Sequence, residues 1–383
     1  MTSIPAIESI PAVKSILAMH QAGSGDLLAD RRFAYAEACL AEGDCVGAAE
    51  MAEQALERAP RFAAAWVLLG RAREARHAAE AAAGAADPAL FQAALRAYET
   101  GRDLDPEDTL GTLVHLARIA GDAALPVLSP AYLRALFDGY AGRFERHLVE
   151  GLGYCGPALL CAALDAYDGS REPPRGSFSQ GEKGGMRGVT SPDSSHPSPQ
   201  FSPAREREPG GAPRYGHAID LGCGTGLMGA ALGARVGTLT GVDIAPAMLA
   251  LARRKGLYAR LVEAGIEDFL AGEPAASADL CVAADVFIYL GPLATVLSGM
   301  TRVLRPDGRA AFTVQSHDGD GVVLGPDGRY AHADAYLAAA AEAAGFGDLA
   351  IRSAVVRREN GADVPGRTVI AVKRSASTGV EAA

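Results

Sequence analysis

The stretch AIDLGCGTGLMGAAL, residues 218–232, decides how the second half of this chain is read. An apolar run ends in Asp220, a turn carries Gly222, Gly224 and Gly226, and Met, Ala and Leu follow at helical spacing. Glycine has no Cβ, so the backbone can approach a ligand closely, and a helix N-terminus offers unpaired N–H groups. This is a nucleotide-binding strand–turn–helix, and two registers compete for it. From Gly224, GTGLMG fits G-x-G-x-x-G, the dinucleotide fingerprint. From Gly222, GCGTG fits a shorter G-x-G-x-G.

Charge separates the two. A dinucleotide lays a pyrophosphate over the turn, and an acid beside it is repelled. S-adenosylmethionine, the ligand of the shorter pattern, brings an ammonium and a sulfonium instead. Asp220, two residues before the first glycine, suits the cation. Asp243 closes the next strand (GVDI) 23 residues further on. It can accept both ribose hydroxyls, each charge-assisted bond contributing about 1.5–3 kcal/mol. A nicotinamide enzyme places an acid there too, so Asp243 does not discriminate.

From Tyr215 onward strand and helix alternate. HAIDLG, TLTGVDI, ARLVEA, ADLCVAADVFIYL and RAAFTVQ read as strands. GLMGAALGARV, APAMLALARRKG, LATVLSGMTRVLRPDG and HADAYLAAAAEAAGF read as helices. LAIRSAVVRRE and RTVIAVKR close the chain with no helix between them, which requires an antiparallel last strand. The fold class is therefore α/β, a doubly wound Rossmann-like sheet with its ligand at the carboxyl ends of the strands.

The first third is different. Residues 28–122 are Ala-rich with helical periodicity. Trp66, Leu69 and Gly70, then Ala94, Tyr98 and Pro106, fit the tetratricopeptide (TPR) pattern; Ala48, Ala55 and Pro60 fit part of an earlier unit. Pro60 and Pro106 lie 46 residues apart, against roughly 34 for that repeat. An insertion of about a dozen residues is therefore placed within 72–91. Residues 1–27 are expected to be a disordered N-terminal segment, and 123–168 to form lid helices, among them one helix-like run over 131–154 with Leu133, Leu136, Phe137, Tyr140 and Phe144 at helical spacing. From 169 to 213, 24 of 45 residues are Gly, Pro or Ser. That composition predicts a disordered insertion. Residues 214–375 are expected to form the nucleotide-binding α/β domain, and 376–383 a disordered tail.

DLGCGTG, GVDIAPAMLALAR, DLCVAADVFIYL and VLRPDG, in that order and spacing, resemble the motif series of class I SAM-dependent methyltransferases across Ala218 to Phe312. With TPR-like helices in front, the chain resembles the bacterial subgroup that carries an N-terminal TPR region. FDGYAGRFERHLVEGLGY and GRYAHADAYLAAAAEAAGF resemble its flanking segments. The resemblance implies that Asp220, Gly222, Gly224 and Gly226 hold the methionine part of SAM. It places Asp243 and Ile244 at the ribose and adenine edge, and Gly265 and Ile266 beside adenine. Many relatives have an acid where Gly265 stands, leaving Glu267 or Asp268 as substitutes. Ala284 and Asp285 border the transferred methyl, and Tyr140 and Phe144 lie on a lid helix over the cofactor.

Methyl transfer is an in-line displacement at an activated carbon, so the protein mainly aligns the reactants and excludes water. A base is needed only where the nucleophile arrives protonated. Asp285, His332 and His317 are the candidates, with Tyr289 and Tyr330 as possible walls of the acceptor pocket. Arg357 and Arg358 read as a solvated strand end. The expected activity is methylation of an O or N atom of a small-molecule or protein acceptor. The alternative is a SAM-binding module that works through its TPR-like helices without turnover.

A net charge of −10 argues against a broad nucleic-acid or anionic-membrane footprint. The six cysteines include no C-x-x-C pair, so neither a zinc site nor a disulfide framework is expected. Glu8 and Pro11 interrupt what a signal peptide would need, and no apolar run reaches membrane-spanning length; a cytoplasmic protein is expected.

Overall fold

The computed structural model describes residues 23–120, 128–171, 212–325, 328–359 and 361–375. Most of the expected disordered segments, 1–27, 169–213 and 376–383, lie outside the described residues.

Four helices come first among the described residues: α1 (Leu27–Ala41), α2 (Cys45–Arg58), α3 (Ala63–Ala82) and α4 (Pro88–Leu104). Each start has a physical cause. Asp26, Asp44 and Asp87 accept backbone N–H groups at the N-termini of α1, α2 and α4, and Pro88 occupies a first-turn position where no N–H is needed. α2 and α4 stop just before Pro60 and Pro106. Residues 72–91, where the repeat spacing places an insertion, form the second half of α3, the α3–α4 connection and the start of α4.

Small residues let these helices approach. A Cβ on Gly70 would lie 2.7 Å from the ring of Tyr98, and one on Gly101 2.9 Å from Val67. Gly70→Ala should therefore cost about 1–3 kcal/mol by overpacking. Denaturant unfolding would show a lowered midpoint, with cofactor affinity unchanged.

α5 (Thr112–Ala120) covers the end of this stack. Its His115 ring stacks on Tyr98 at 5.0 Å, and Arg118 pairs with Glu74 at 2.5 Å. α6 (Pro130–Tyr140) follows, capped by Ser129, whose hydroxyl also donates to the Asp108 carbonyl. The long lid helix expected from 131 to 154 is not continuous. It breaks after Tyr140 into a 3₁₀ turn (Ala141–Arg143) and a π-helical turn (Arg146–Gly151) before α7 (Gly156–Arg171).

The rest is a nine-stranded sheet. Strands β1 (Tyr215–Leu221), β2 (Val236–Asp243), β3 (Arg260–Glu263), β4 (Ala278–Ala283) and β5 (Leu304–Ser316) run parallel in the order β3-β2-β1-β4-β5. β9 (Ala362–Lys373) runs antiparallel to β5 and to β8 (Phe346–Glu359), as the closing pair required. α10 (Ile266–Gly272), α11 (Ala294–Val303) and α12 (Asp334–Ala343) bury Leu270, Leu297, Met300 and Leu337 on one face. α7 and α8 (Leu227–Leu232) bury Leu160, Leu164, Met228 and Leu232 on the other. α9 (Pro246–Lys255) meets the lid through Met248 and Ala141.

A short hairpin, β6 (Val322–Leu324) and β7 (Tyr330–His332), was not foreseen. β7 pairs with Gln315 and Ser316 at the end of β5. Since β4 has already stopped at Ala283, this hairpin sits over the carboxyl end of the sheet.

Candidate active site

The glycine turn lies where β1 meets α8. Gly222, Gly224 and Gly226 have φ of 68°, 52° and 90°. Side chains strain in that region, and a Cβ on Gly222 would also meet Val286 at 2.6 Å. The bare backbone borders a cavity of about 870 Å³ running from the turn along the carboxyl ends of the strands to the lid. At Gly224 the nearest atom to an added Cβ is the Phe144 ring, 3.8 Å away.

Asp243 ends β2 at the cavity wall. Its carboxylate accepts from Gly224 N at 2.8 Å and Ala245 N at 2.9 Å, which ties the strand end to the turn. Burial pushes it up to about 6, opposed by those N–H groups. Ile244, Gly265, Ile266, Glu267 and Asp268 continue the wall. A Cβ on Gly265 would lie 3.4 Å from the Asp268 carboxylate, so that acid stands beside the position where relatives carry theirs.

Asp220 differs from the expectation. It is buried beneath the turn and does not line the cavity. Tyr258 donates to its Oδ2 at 2.7 Å, while Oδ1 has no partner among the described residues. Burial pushes it up to about 7, with the nearby Asp243 charge adding. Gly226 likewise shapes the turn without lining the cavity.

The cavity's charge replaces Asp220 as the discriminator between ligands. Asp243, Glu267, Asp268, Asp285 and Glu359 line it against Arg329 and Arg357. Both guanidiniums are engaged by Glu359, and Arg357 also by Asp285. Such a wall repels a diphosphate and accommodates a sulfonium.

The lid supplies the roof. Asp138 accepts from Ala247 N at the start of α9, Glu145 pairs with Lys255, and Arg134 pairs with Glu263. Tyr140 lines the cavity, packs edge-on against Phe144, and its hydroxyl shares a hydrogen bond with His147 Nδ1. Burial pushes Tyr140 up to about 12 and holds His147, with help from Arg143 and Arg329, below its ordinary value. His147 lines the cavity with its Nδ1 beside the Tyr140 hydroxyl.

At the far end, Ala284 and Asp285 follow β4. Asp285 has φ of 59°, donates its N–H to Thr313 Oγ1 at 2.7 Å, and accepts from Arg357 Nη1 at 2.8 Å. Arg357 is not a solvated strand end: its side chain is 2% exposed and it also donates to Gln315 and Glu359. A register shift between Val355 and Arg358 breaks the inside–outside alternation, leaving Val356 and Arg357 both buried. Arg358 is exposed and pairs with Asp363.

Two candidates lie away from the cavity. His332 is on β7, not at a helix start. It is 0% exposed, with Nε2 2.9 Å from the Gly291 carbonyl and its ring 5.8 Å from Tyr336. It stands behind the loop of Gly291 and Pro292 that does line the cavity. His317 accepts from Gly319 N within its own loop. Tyr330 is buried away from the cavity, whereas Tyr289 lines it and meets Phe137 edge-on at 5.3 Å.

Residues 219–312 match the Methyltransf_11 family, a methyltransferase domain. That match covers the turn, Asp243, the Gly265–Asp268 wall and Asp285. It supports a methyltransferase domain over those residues, with SAM as its cofactor. Over 96 residues the chain is 31% identical to a ubiquinone biosynthesis O-methyltransferase of Xylella fastidiosa, covering 24% of this chain and 38% of that one. The chain thus spans well under half the length of that curated relative. Two solved structures are also similar. One is the Burkholderia thailandensis 1,6-didemethyltoxoflavin-N1-methyltransferase with its substrate and S-adenosylhomocysteine, at 24% identity over 42% of this chain and 71% of that one, TM-score 0.35. The other is a Haemonchus contortus phosphoethanolamine N-methyltransferase with phosphomonomethylethanolamine and S-adenosylhomocysteine, at 16% identity over 42% and 49%, TM-score 0.35. No helix among the described residues is long and apolar enough to cross a membrane.

Proposed function

We propose that the protein transfers the methyl group of SAM to an O or N atom of a small molecule held in the same cavity. The observation that carries this reading is the continuity of one acidic cavity from the glycine turn and Asp243 to Asp285, under a lid of aromatic side chains. The bound cofactor supplies a methyl carbon activated by its sulfonium. Asp243 accepts from the ribose hydroxyls, Asp268 and the Ile266 backbone border the adenine, and Gly222 and Gly224 let the methionine end pass. Tyr140, Phe144 and Phe137 exclude water, which keeps the nucleophile dry and its alignment fixed. His147, which lines the same cavity, is the group we assign to take a proton from the nucleophile.

We read the N-terminal helix pairs as TPR-like and assign them to supporting the lid. α5 stacks on Tyr98, and Asp108 anchors the Ser129 cap of the lid helix. Incubation with methyl-labelled SAM and a panel of small amines, phenols and carboxylic acids tests the reading. Label should appear in a small-molecule product, with stoichiometric S-adenosylhomocysteine. Tight cofactor binding with no label in any class would contradict turnover on small molecules.

A further inference from the structure

Beyond the cofactor end, the cavity carries a charged cluster whose hydrogen bonding is one-sided. Arg357 uses all three guanidinium nitrogens: Nε to Glu359, Nη1 to Asp285 and Nη2 to Gln315. Arg329 is engaged by the same Glu359. The donors of the wall are therefore turned inward, onto the protein's own acceptors. The acceptors are not used up. Asp285 and Glu359 each receive these bonds on one oxygen, and the second oxygen of each has no partner among the described residues. Both side chains keep some exposure, 13% and 22%, and both line the cavity.

This wall disfavours an anionic acceptor molecule, which would face two carboxylates beside a guanidinium already engaged by the protein at all three of its nitrogens. It matches a group that donates hydrogen bonds and carries positive charge, because such bonds to a carboxylate are about twice as strong as neutral ones. The rest of the pocket is apolar. Leu133, Leu148 and Leu152 of the lid region face Tyr289 and Leu290 across it, with Phe137 edge-on to Tyr289. Aromatic faces beside a cation add a further attraction.

We infer that the acceptor is a small primary or secondary amine on an apolar body, its nitrogen held between Asp285 and Glu359. The inference rests on the methyltransferase reading and narrows it from O or N to an amine. The amine enters as an ammonium and gives one proton to His147 Nε2, in the tautomer whose Nδ1–H donates to the Tyr140 oxygen. Its freed lone pair then forms the bond to the methyl carbon, while the methyl–sulfur electron pair stays on sulfur. The product leaves as a methylated ammonium, and the proton on His147 passes to solvent. Arg143, Arg329 and Glu359 are the charged groups acting on that imidazole, with the Tyr140 hydroxyl on its Nδ1.

The test uses the full chain saturated with S-adenosylhomocysteine and three ligands of one shape: phenethylamine, phenethyl alcohol and hydrocinnamate. Titration followed by calorimetry or ligand-observed NMR should show the amine binding at least tenfold tighter than the alcohol, with the carboxylate weakest. Glu359→Gln and Asp285→Asn should each weaken the amine at least fivefold and bring it toward the alcohol. Melting curves verify that both variants are folded. The ligand series on the unaltered protein stands without them. Equal binding of amine and alcohol, tighter binding of the carboxylate, or an amine affinity indifferent to both substitutions overturns the assignment. If S-adenosylhomocysteine fails to bind in the first place, the methyltransferase reading itself falls, and the acceptor assignment with it.

Discussion

Asp243→Ala is expected to lower affinity for S-adenosylhomocysteine at least tenfold near neutral pH, with an unchanged circular dichroism spectrum. The carboxylate already accepts from Gly224 N and Ala245 N, one on each oxygen. Each oxygen keeps a lone pair for a ribose hydroxyl, and losing even one bond of about 1.4 kcal/mol is tenfold in affinity. A pH dependence accompanies this. Burial pushes the carboxyl up to about 6 in the free protein. The ribose hydroxyls donate to the ionised form, so binding should weaken as the pH falls through that value, by roughly tenfold per unit below it. Asp243→Asn should bind weakly at every pH and show no such slope. Calorimetric titration across this range separates a direct ribose contact from a role in holding the turn. In the second case, Asn would recover only part of the affinity, because its single carbonyl oxygen can keep one of the two turn bonds.

Arg357→Leu is the second large effect, and it falls on stability. The guanidinium is 2% exposed and is the shared partner of Asp285, Glu359 and Gln315. Removing it leaves two largely buried carboxylates facing each other with Arg329 as the remaining cation. Breaking one side of a buried pair costs about 3–5 kcal/mol, because the orphaned charge stays desolvated. For a chain of this size that lowers the melting temperature on the order of 10 °C. Combining it with Asp285→Asn should restore several degrees, since one of the stranded charges is removed. A double variant no more stable than Arg357→Leu would show that Arg357 acts through packing alone.

Much of the α/β domain was legible because its elements are locally consistent. β1, β2 and β5 are apolar runs bounded by glycine, acid or proline signals, and the closing strands lack a helix between them, which forces the antiparallel β9. ADLCVAADVFIYL was read as one long strand. It stops at Ala283, because Asp285 adopts a left-handed φ and turns the chain into a 3₁₀ turn at Phe287–Tyr289. Nothing in the residue types marks that reversal. The β6–β7 hairpin was missed because its strands are only three residues each, too short for periodicity to show.

Within the site, residues next to the glycine turn could be read because strand order fixes where they fall. Arg357 and His147 could not. A bulge moves Arg357 inward against the period-two alternation of its strand. His147 sits on a π-helical turn, where the ordinary helical spacing that made 131–154 look continuous no longer applies. His332 illustrates the converse. Its residue type suggested a base, but its place on β7 buries it behind the Gly291 loop.

The most direct measurement is calorimetric titration of the purified protein with S-adenosylhomocysteine and, separately, with NADH. The acidic cavity beside the glycine turn predicts micromolar or tighter binding of the first and none of the second. Binding of NADH without S-adenosylhomocysteine would mean that the longer glycine pattern starting at Gly224 is the one in use, and would contradict the methyltransferase assignment.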